Sequence, residues 1–211
     1  SVCPNINLLD CNLKLCFGDR SIAKCDACLN KSKGLSPGFI TKWRSHFSDI
    51  FESCEAIICP SRSVPEILSM YYPSVRDKTI VIEHGIDERM ADHDHAGTDE
   101  GSSGTPLNAQ CHIAYIGGLG PNKGRDLFYK LACSKEFEGR IIWSILGTSD
   151  LHSKPGYYAS HNIHVYGHYK DFDELRMLVT KKKVDLIILP AICPETYSYT
   201  LSEAWALGIP V

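Results

Sequence analysis

Regular apolar spacing comes and goes along the chain. Phe39, Ile40, Trp43, Phe47, Ile50 and Phe51 recur at steps of three and four, which lays them on one face of a helix. Ala56 to Cys59 is a short apolar run stopped by Pro60-Ser61, and reads as a buried strand. Ser63 to Tyr71 reads as a helix with Ser63 as N-cap and Glu66 as its capping-box partner. The β-branched run Thr79 to Ile82 reads as another strand, ended by Gly85. Residues 1–38 show neither helical nor strand period and read as a loop-rich segment up to the break at Ser36-Pro37-Gly38. Residues 91–110 carry almost no large apolar side chains. They cannot bury enough surface to offset the entropy of ordering, and read as a flexible linker.

From residue 111 the two periods alternate. His112 to Ile116 is a predicted strand followed by a glycine-rich turn, and Arg125 to Cys133 a predicted helix. Arg140 to Leu146 and Ile163 to Tyr166 are further strands. Asp171 to Lys182 is a helix with Asp171 as N-cap, Glu174 three residues on, and a stripe of Phe172, Leu175, Leu178 and Val179. Val184 to Leu189 reads as a central parallel strand covered on both faces. Ser198 to Leu207 reads as a helix stopped at Gly208, and Gly208 to Val211 as the start of another strand. This alternation predicts an α/β fold with a doubly wound, Rossmann-like parallel sheet. Ligands of such sheets bind at the carboxyl ends of the strands, where the segments after Ile116 and Leu189 lie. The predicted organisation is a cysteine-rich segment at 1–38, an α/β piece at 39–85, a linker region at 86–110 and a second α/β domain at 111–211.

Composition narrows the function. The 44% hydrophobic content suffices for a core. A net charge of −3, from 22 basic and 25 acidic residues, argues against a nucleic-acid partner. No apolar run reaches the length of a membrane span, and the opening Ser1-Val2-Cys3-Pro4 has no signal-peptide pattern, so the expected location is cytoplasmic. The absence of an initial Met suggests that the natural chain starts earlier. Ten cysteines are many for such a protein, and Cys3, Cys11, Cys16, Cys25 and Cys28 crowd its start. Cys3, Cys16 and the C-x2-C pair Cys25 and Cys28 supply the four thiolates of a structural zinc site. Reduced thiols are the alternative, and disulfides fit an intracellular α/β protein least. The cluster His93, Asp94 and His95 reads as a metal site or, better suited to its polar surroundings, as solvated loop.

Two further segments could carry chemistry. In "YIGGLGPNKGRD", Gly117, Gly118 and Gly120 let backbone come close to a ligand, and Lys123 at the helix start can meet a phosphate. Its spacing is neither a dinucleotide fingerprint nor a Walker loop. In "PETYSYTLSEAWALGIPV", Glu195 follows a strand end, the amides from Ser198 to Leu201 open a helix, and Glu203 lies within that helix. On residue type alone, an exposed Glu195 and a surface pair at Glu203 explain the same residues.

Taken together, these segments resemble retaining glycosyltransferases of family four, the group-one class of the GT-B fold. "PETYSYTLSEAWALGIPV" resembles their E-x7-E signature, with Glu195 and Glu203 as the pair. "GGLGPNKG" resembles their phosphate loop, with Lys123 as its lysine. "VIEHGID" resembles the interdomain hinge, and "ESCEAIICPSRSVPEIL" the last strand-helix unit of the N-terminal domain. "CPNINLLD…C…CDAC" resembles a cysteine-bearing insertion of some bacterial members.

The resemblance implies carbohydrate biosynthesis: transfer of a sugar from a nucleoside diphosphate sugar, with retention, to a carbohydrate or lipid-linked acceptor. It implies no metal for the diphosphate, with Lys123 and helix amides stabilising the leaving charge. Glu195 would hold the donor sugar and Glu203 the ribose. Tyr169 would border the base, and Tyr197, Ser198, Tyr199 and Thr200 would line the donor site. The resemblance makes 39–85 the end of an acceptor-side domain, 86–110 a hinge with linker, and 111–211 an incomplete nucleotide-sugar-binding domain. It also implies a piece cut at both ends, poorly active alone, from a protein peripheral to a membrane. Two positions depart from the pattern. The arginine usual five residues before the lysine is Gly118, with Arg125 as its nearby substitute, and Tyr197-Ser198 replaces an aromatic-Gly pair. The competing readings are a non-catalytic nucleotide or phospho-ligand binder of the same fold, and a zinc-dependent interaction module at 1–38.

Overall fold

The computed structural model describes residues 2–16, 21–85, 90 and 110–211. The His93–His95 cluster, nearly all of the predicted linker, and Ile86-Asp87 of the hinge lie outside the described residues. The chain divides into two compact units. One holds Ser1–Gly85 with Ile192–Tyr197, the other Ile86–Ala191 with Ser198–Val211.

In the first unit, the stretch expected to be loop-rich contains helix α1, Ile22–Lys33. Its apolar stripe is too thin to read as a period: Leu29 is its buried residue. Its ends carry the information instead. Ser21 caps the start, and Gly34, at φ 67, closes the end by donating its N–H to the Asn30 carbonyl at 2.8 Å. Helix α2, Phe39–Ser53, runs where the period placed it. Its aromatic row, Phe39, Trp43, Phe47 and Phe51, stacks in sequence at centroid distances of 5.0–6.1 Å. The start of α2 is capped from α1: Asp26 accepts from the Gly38 N–H at 2.7 Å and the Ile40 N–H at 3.4 Å. Strand β1, Ile57–Cys59, pairs in parallel with β2, Thr79–Val81. Between them lies α3, Ser63–Tyr71. The capping box expected there does not form. Ser63 is inside the helix, its hydroxyl is bonded to Ser61 at 3.0 Å, and the N-cap is Arg62.

The second unit is built on a five-stranded sheet. Strands β3 (Cys111–Leu119), β4 (Ile141–Ser149), β5 (Gly156–Tyr158), β6 (Ile163–Val165) and β7 (Leu186–Ile187) lie in the order β5-β6-β4-β3-β7, all parallel except β5. Chain order reverses between β3 and β7, which makes that gap the switch point of a Rossmann-like α/β unit. The fold class read from the sequence is the one found. Phe128 of α4 (Arg125–Ala132), with Tyr115, Trp143 and Ile145, fills one face of the sheet. Phe172, Leu175 and Val179 of α5 (Phe172–Lys182), with Ile116, Leu146 and Ala204, fill the other. Asp171 caps α5 by accepting from the Glu174 N–H at 3.0 Å, and Glu174 reaches back to the Lys170 N–H at 2.6 Å.

The run Val184 to Leu189 contributes a shorter ladder than expected, only Leu186–Ile187. On the far side of β7, the Ile187 N–H donates to the Pro210 carbonyl at 2.9 Å, so the last residues run beside it as a further strand would. Helix α6, Tyr199–Ala206, precedes them and ends at Gly208, φ 69. The imidazole of His112, buried in β3, is satisfied by the Lys182 carbonyl and the Ser144 hydroxyl, each at 2.8 Å. No helix among the described residues is long and apolar enough to cross a membrane.

Candidate functional site at the strand ends

The glycines expected in a turn after Ile116 are partly in the sheet. Gly117 and Gly118 are the seventh and eighth residues of β3, paired with Gly147 and Thr148 of β4. The reason is backbone proximity within the sheet. A Cβ on Gly147, whose φ is 143, would sit 2.0 Å from the Gly117 carbonyl oxygen. A Cβ on Gly117 would stand 3.3 Å from the Thr200 methyl, so the first turn of α6 packs against the end of β3. Around Gly118 nothing lies within 4 Å of an added Cβ. Of these glycines, Gly118 is the one with room for a ligand.

The true turn runs from Gly120 to Gly124 and is tightly built. Lys123 lies in the single 3-10 turn Pro121–Lys123, and its N–H and that of Arg125 both donate to the Gly120 carbonyl, at 3.0 and 3.2 Å. The Tyr115 hydroxyl donates to the Gly118 carbonyl at 3.2 Å. Gly124 is left-handed at φ 79, and a Cβ there would fall 1.8 Å from the Pro190 carbonyl oxygen. The turn after β3 and the segment after β7 therefore cross at the switch point with no room for a side chain between them. Half-buried Lys123 precedes this crossing by one residue, while the end of β3 packs on Thr200 of α6 through Gly117.

Arg125 has a different place from the one expected. It pairs with Asp126 at 2.8 Å and with Asp150 at the end of β4, its own side chain being 14% exposed. Two carboxylates already answer its charge in this structure. Asp150, which commits it, carries no motif in the sequence.

Glu203 is half-buried and accepts a hydrogen bond from the Tyr169 hydroxyl at 2.9 Å. It makes no surface ion pair with any described residue. Burial pushes the Glu203 carboxyl up, and the bond from Tyr169 pulls it part of the way back. Burial and the neighbouring carboxylate push the Tyr169 phenol up as well, so it stays a donor. Proximity of Tyr169 to Glu203 was not readable from residues 34 apart. In the same unit, Ser198 and Thr200 face each other at 3.3 Å between hydroxyl oxygens, and Tyr199 is 59% exposed. Glu195, half-buried, and Tyr197 belong to the first unit, where the Tyr197 ring meets His84 edge-on at 4.9 Å. The sequence reading passed over His84 as part of the hinge pattern.

The cysteines at the chain start do converge, though not as a ready metal site. Cys3, Cys11, Cys16, Cys25 and Cys28 line one cavity of about 450 Å³. None of the ten cysteines forms a disulfide. Cys25 and Cys28 lie one turn apart on α1 rather than in a knuckle loop. Among the described residues, no three Cys, His, Asp or Glu side chains are grouped closely enough to hold a metal ion as they stand. Burial pushes the Cys3 and Cys28 thiols up, the opposite of what an activated nucleophile needs.

No protein-family model matches the chain, and no curated protein matches it. Solved structures do. Anabaena Alr3699/HepE in complex with UDP and glucose matches with a TM-score of 0.55 at 15% identity, over 81% of this chain and 47% of that one. The same protein in complex with UDP-glucose matches with a TM-score of 0.55 at 14% identity, over 91% of this chain and 56% of that one. At such identity the likeness is one of fold, and the chain spans about half the length of these neighbours.

Proposed function

We propose that this chain carries the donor side of a glycosyltransferase that uses a nucleoside diphosphate sugar. The observation that carries the reading is the crossing at the switch point. The turn that ends at Gly124 packs on the Pro190 backbone beyond β7, and the end of β3, beside open Gly118, packs on Thr200 in the first turn of α6. Backbone amides at the start of α6 and the Lys123 ammonium form a place for a diphosphate, and they stabilise the charge that grows on it as the sugar leaves. Half-buried Glu203, held by Tyr169, offers its other oxygen to the vicinal hydroxyls of a ribose. Glu195 follows β7 in the order that a donor-sugar contact requires. The E-x7-E pattern supports family four and retention of the anomeric configuration, and the HepE complexes with UDP and UDP-glucose support a uridine donor.

The commitment of Arg125 to Asp126 and Asp150 favours a second reading, a nucleotide binder without turnover, because one cation fewer then faces the phosphates. The two readings separate in one experiment. The protein is incubated with UDP-, GDP- and dTDP-hexoses, and released sugar is followed by proton NMR. Slow release of a sugar with the donor's anomeric configuration supports the transferase. An inverted product contradicts retention. Nucleotide binding without release favours the binder.

A further inference from the structure

The first unit has a thin core. Its buried apolar cluster is Val2, Tyr72 and Val75, with partly buried side chains around it, and Leu9, Leu29, Ile40 and Cys59 are buried outside that cluster. Domains with so little apolar burial usually carry a covalent or metal staple. Disulfides are absent, yet the five cysteines come from separate places in the chain to one cavity. Several of their sulfurs face N–H donors. The Asn5 N–H points at Cys3 Sγ at 3.5 Å, from two residues further along the chain. The Asn5 side-chain amide and the Cys11 N–H both donate to Cys28 Sγ, at 3.5 and 3.1 Å. The Ser32 hydroxyl, donating to the Asn5 side-chain oxygen at 3.1 Å, turns that amide the right way round. Arg44 donates from α2 to Cys25 Sγ at 3.4 Å. Three of the sulfurs thus receive N–H donors, the outer-shell bonding that thiolate ligands of a metal require.

We propose that this cavity is a structural zinc site with Cys3, Cys16, Cys25 and Cys28 as ligands. Cys11 serves it through its backbone N–H and not its sulfur. Four thiolates and one divalent ion leave a net charge of about −2, which the N–H donors and Arg44 offset. The sulfurs stand too far apart to hold an ion as they are, so the ion must draw them inward. Binding is then coupled to tightening of the unit. Asp26, between the two helical cysteines, caps α2, so this tightening passes directly from α1 to α2.

The test uses the whole chain purified without chelator. Zinc content by elemental analysis should be about one ion per chain. Replacement by cobalt(II) should give the absorption of tetrahedral thiolate coordination. Both should be lost in Cys25→Ser and in Cys28→Ser, and kept in Cys111→Ser, which is remote in sequence and exposed. If the serine variants do not fold, alkylation of the wild type with and without metal gives the same answer by mass spectrometry. Metal should protect Cys3, Cys16, Cys25 and Cys28 while Cys11 reacts. The melting temperature should fall by several degrees on chelation. Folded protein that takes up neither zinc nor cobalt overturns the proposal. So does iron with acid-labile sulfide in place of zinc, or a disulfide joining Cys11 to Cys28.

Discussion

The two units hold themselves together in different ways. The second has a thick apolar core on both faces of its sheet, with Phe128, Ile145 and Leu146 fully buried and His112 satisfied inside it. The first relies on a row of aromatic rings along α2, on carboxylate and hydroxyl caps, and on a cavity ringed by thiols. Apolar area buried on folding supplies most of a domain's stability. The second unit is therefore expected to resist denaturant more on packing, whereas the first draws on a smaller set of buried side chains, Leu29, Ile40, Cys59, Tyr72 and Val75 among them, and on polar contacts. The difference also separates two tasks. The proposed ligand site would need backbone fixed to a fraction of an ångström, which a thick core supplies at the ends of β3 and β7.

The comparison can be broken in several places. The largest effect should come from Phe128→Ala, which empties the second core and should cost about 3–5 kcal/mol in urea unfolding. The same measurement on Val75→Ala in the first unit should show a smaller loss of about 1–2 kcal/mol. Equal losses would erase the distinction between the cores. Gly147→Ala should cost about 3 kcal/mol or more, because its methyl group meets the Gly117 carbonyl. Gly118→Ala should change stability by less than about 0.5 kcal/mol, since its surroundings are open. If Gly118→Ala nevertheless weakens UDP binding, the open space is where the nucleotide goes. Glu203→Ala should lower nucleotide affinity by about 1.5–3 kcal/mol in calorimetry, the size of hydrogen bonds to a charged group.

The smallest effect is one of pH. The carboxyl of Glu203 is raised in the folded protein, so the native state holds this proton more tightly than the unfolded chain does. Its contribution is present in acid and is lost as pH rises from the ordinary carboxylate range through the raised value. Glu203→Gln should remove that decline, which melting curves across the acid range would register as a flatter slope. A steeper one would contradict the assignment of burial as the cause.

Much of the second unit was legible in the sequence because its elements follow the two apolar periods closely. Phe172, Leu175 and Val179 and the Asp171 cap stand where the spacing put them. What was not legible depends on distant backbone. Gly117 and Gly118 looked like a turn because glycine breaks patterns, whereas they are strand residues matched to Gly147. Arg125 looked available because Asp150, at the end of another strand, cannot be paired with it by spacing. Helix α1 was invisible to periodicity because its caps and the Asp26 contact stand in for an apolar stripe. For the candidate site, the resemblance to family four singled out Lys123 and Glu203, which residue type alone left open, while the Tyr169 contact with Glu203 came only from the fold.

The central claim is that a nucleoside diphosphate binds where the turn after β3 crosses the segment after β7. Its most direct test is calorimetric titration of UDP into the wild type and Lys123→Ala, with circular dichroism to show that both are folded. The account expects saturable binding to the wild type and affinity at least about tenfold weaker in the variant, the loss of one charged contact to phosphate. Equal affinity in the two proteins, or no binding of UDP, GDP or dTDP to the folded wild type, would contradict it.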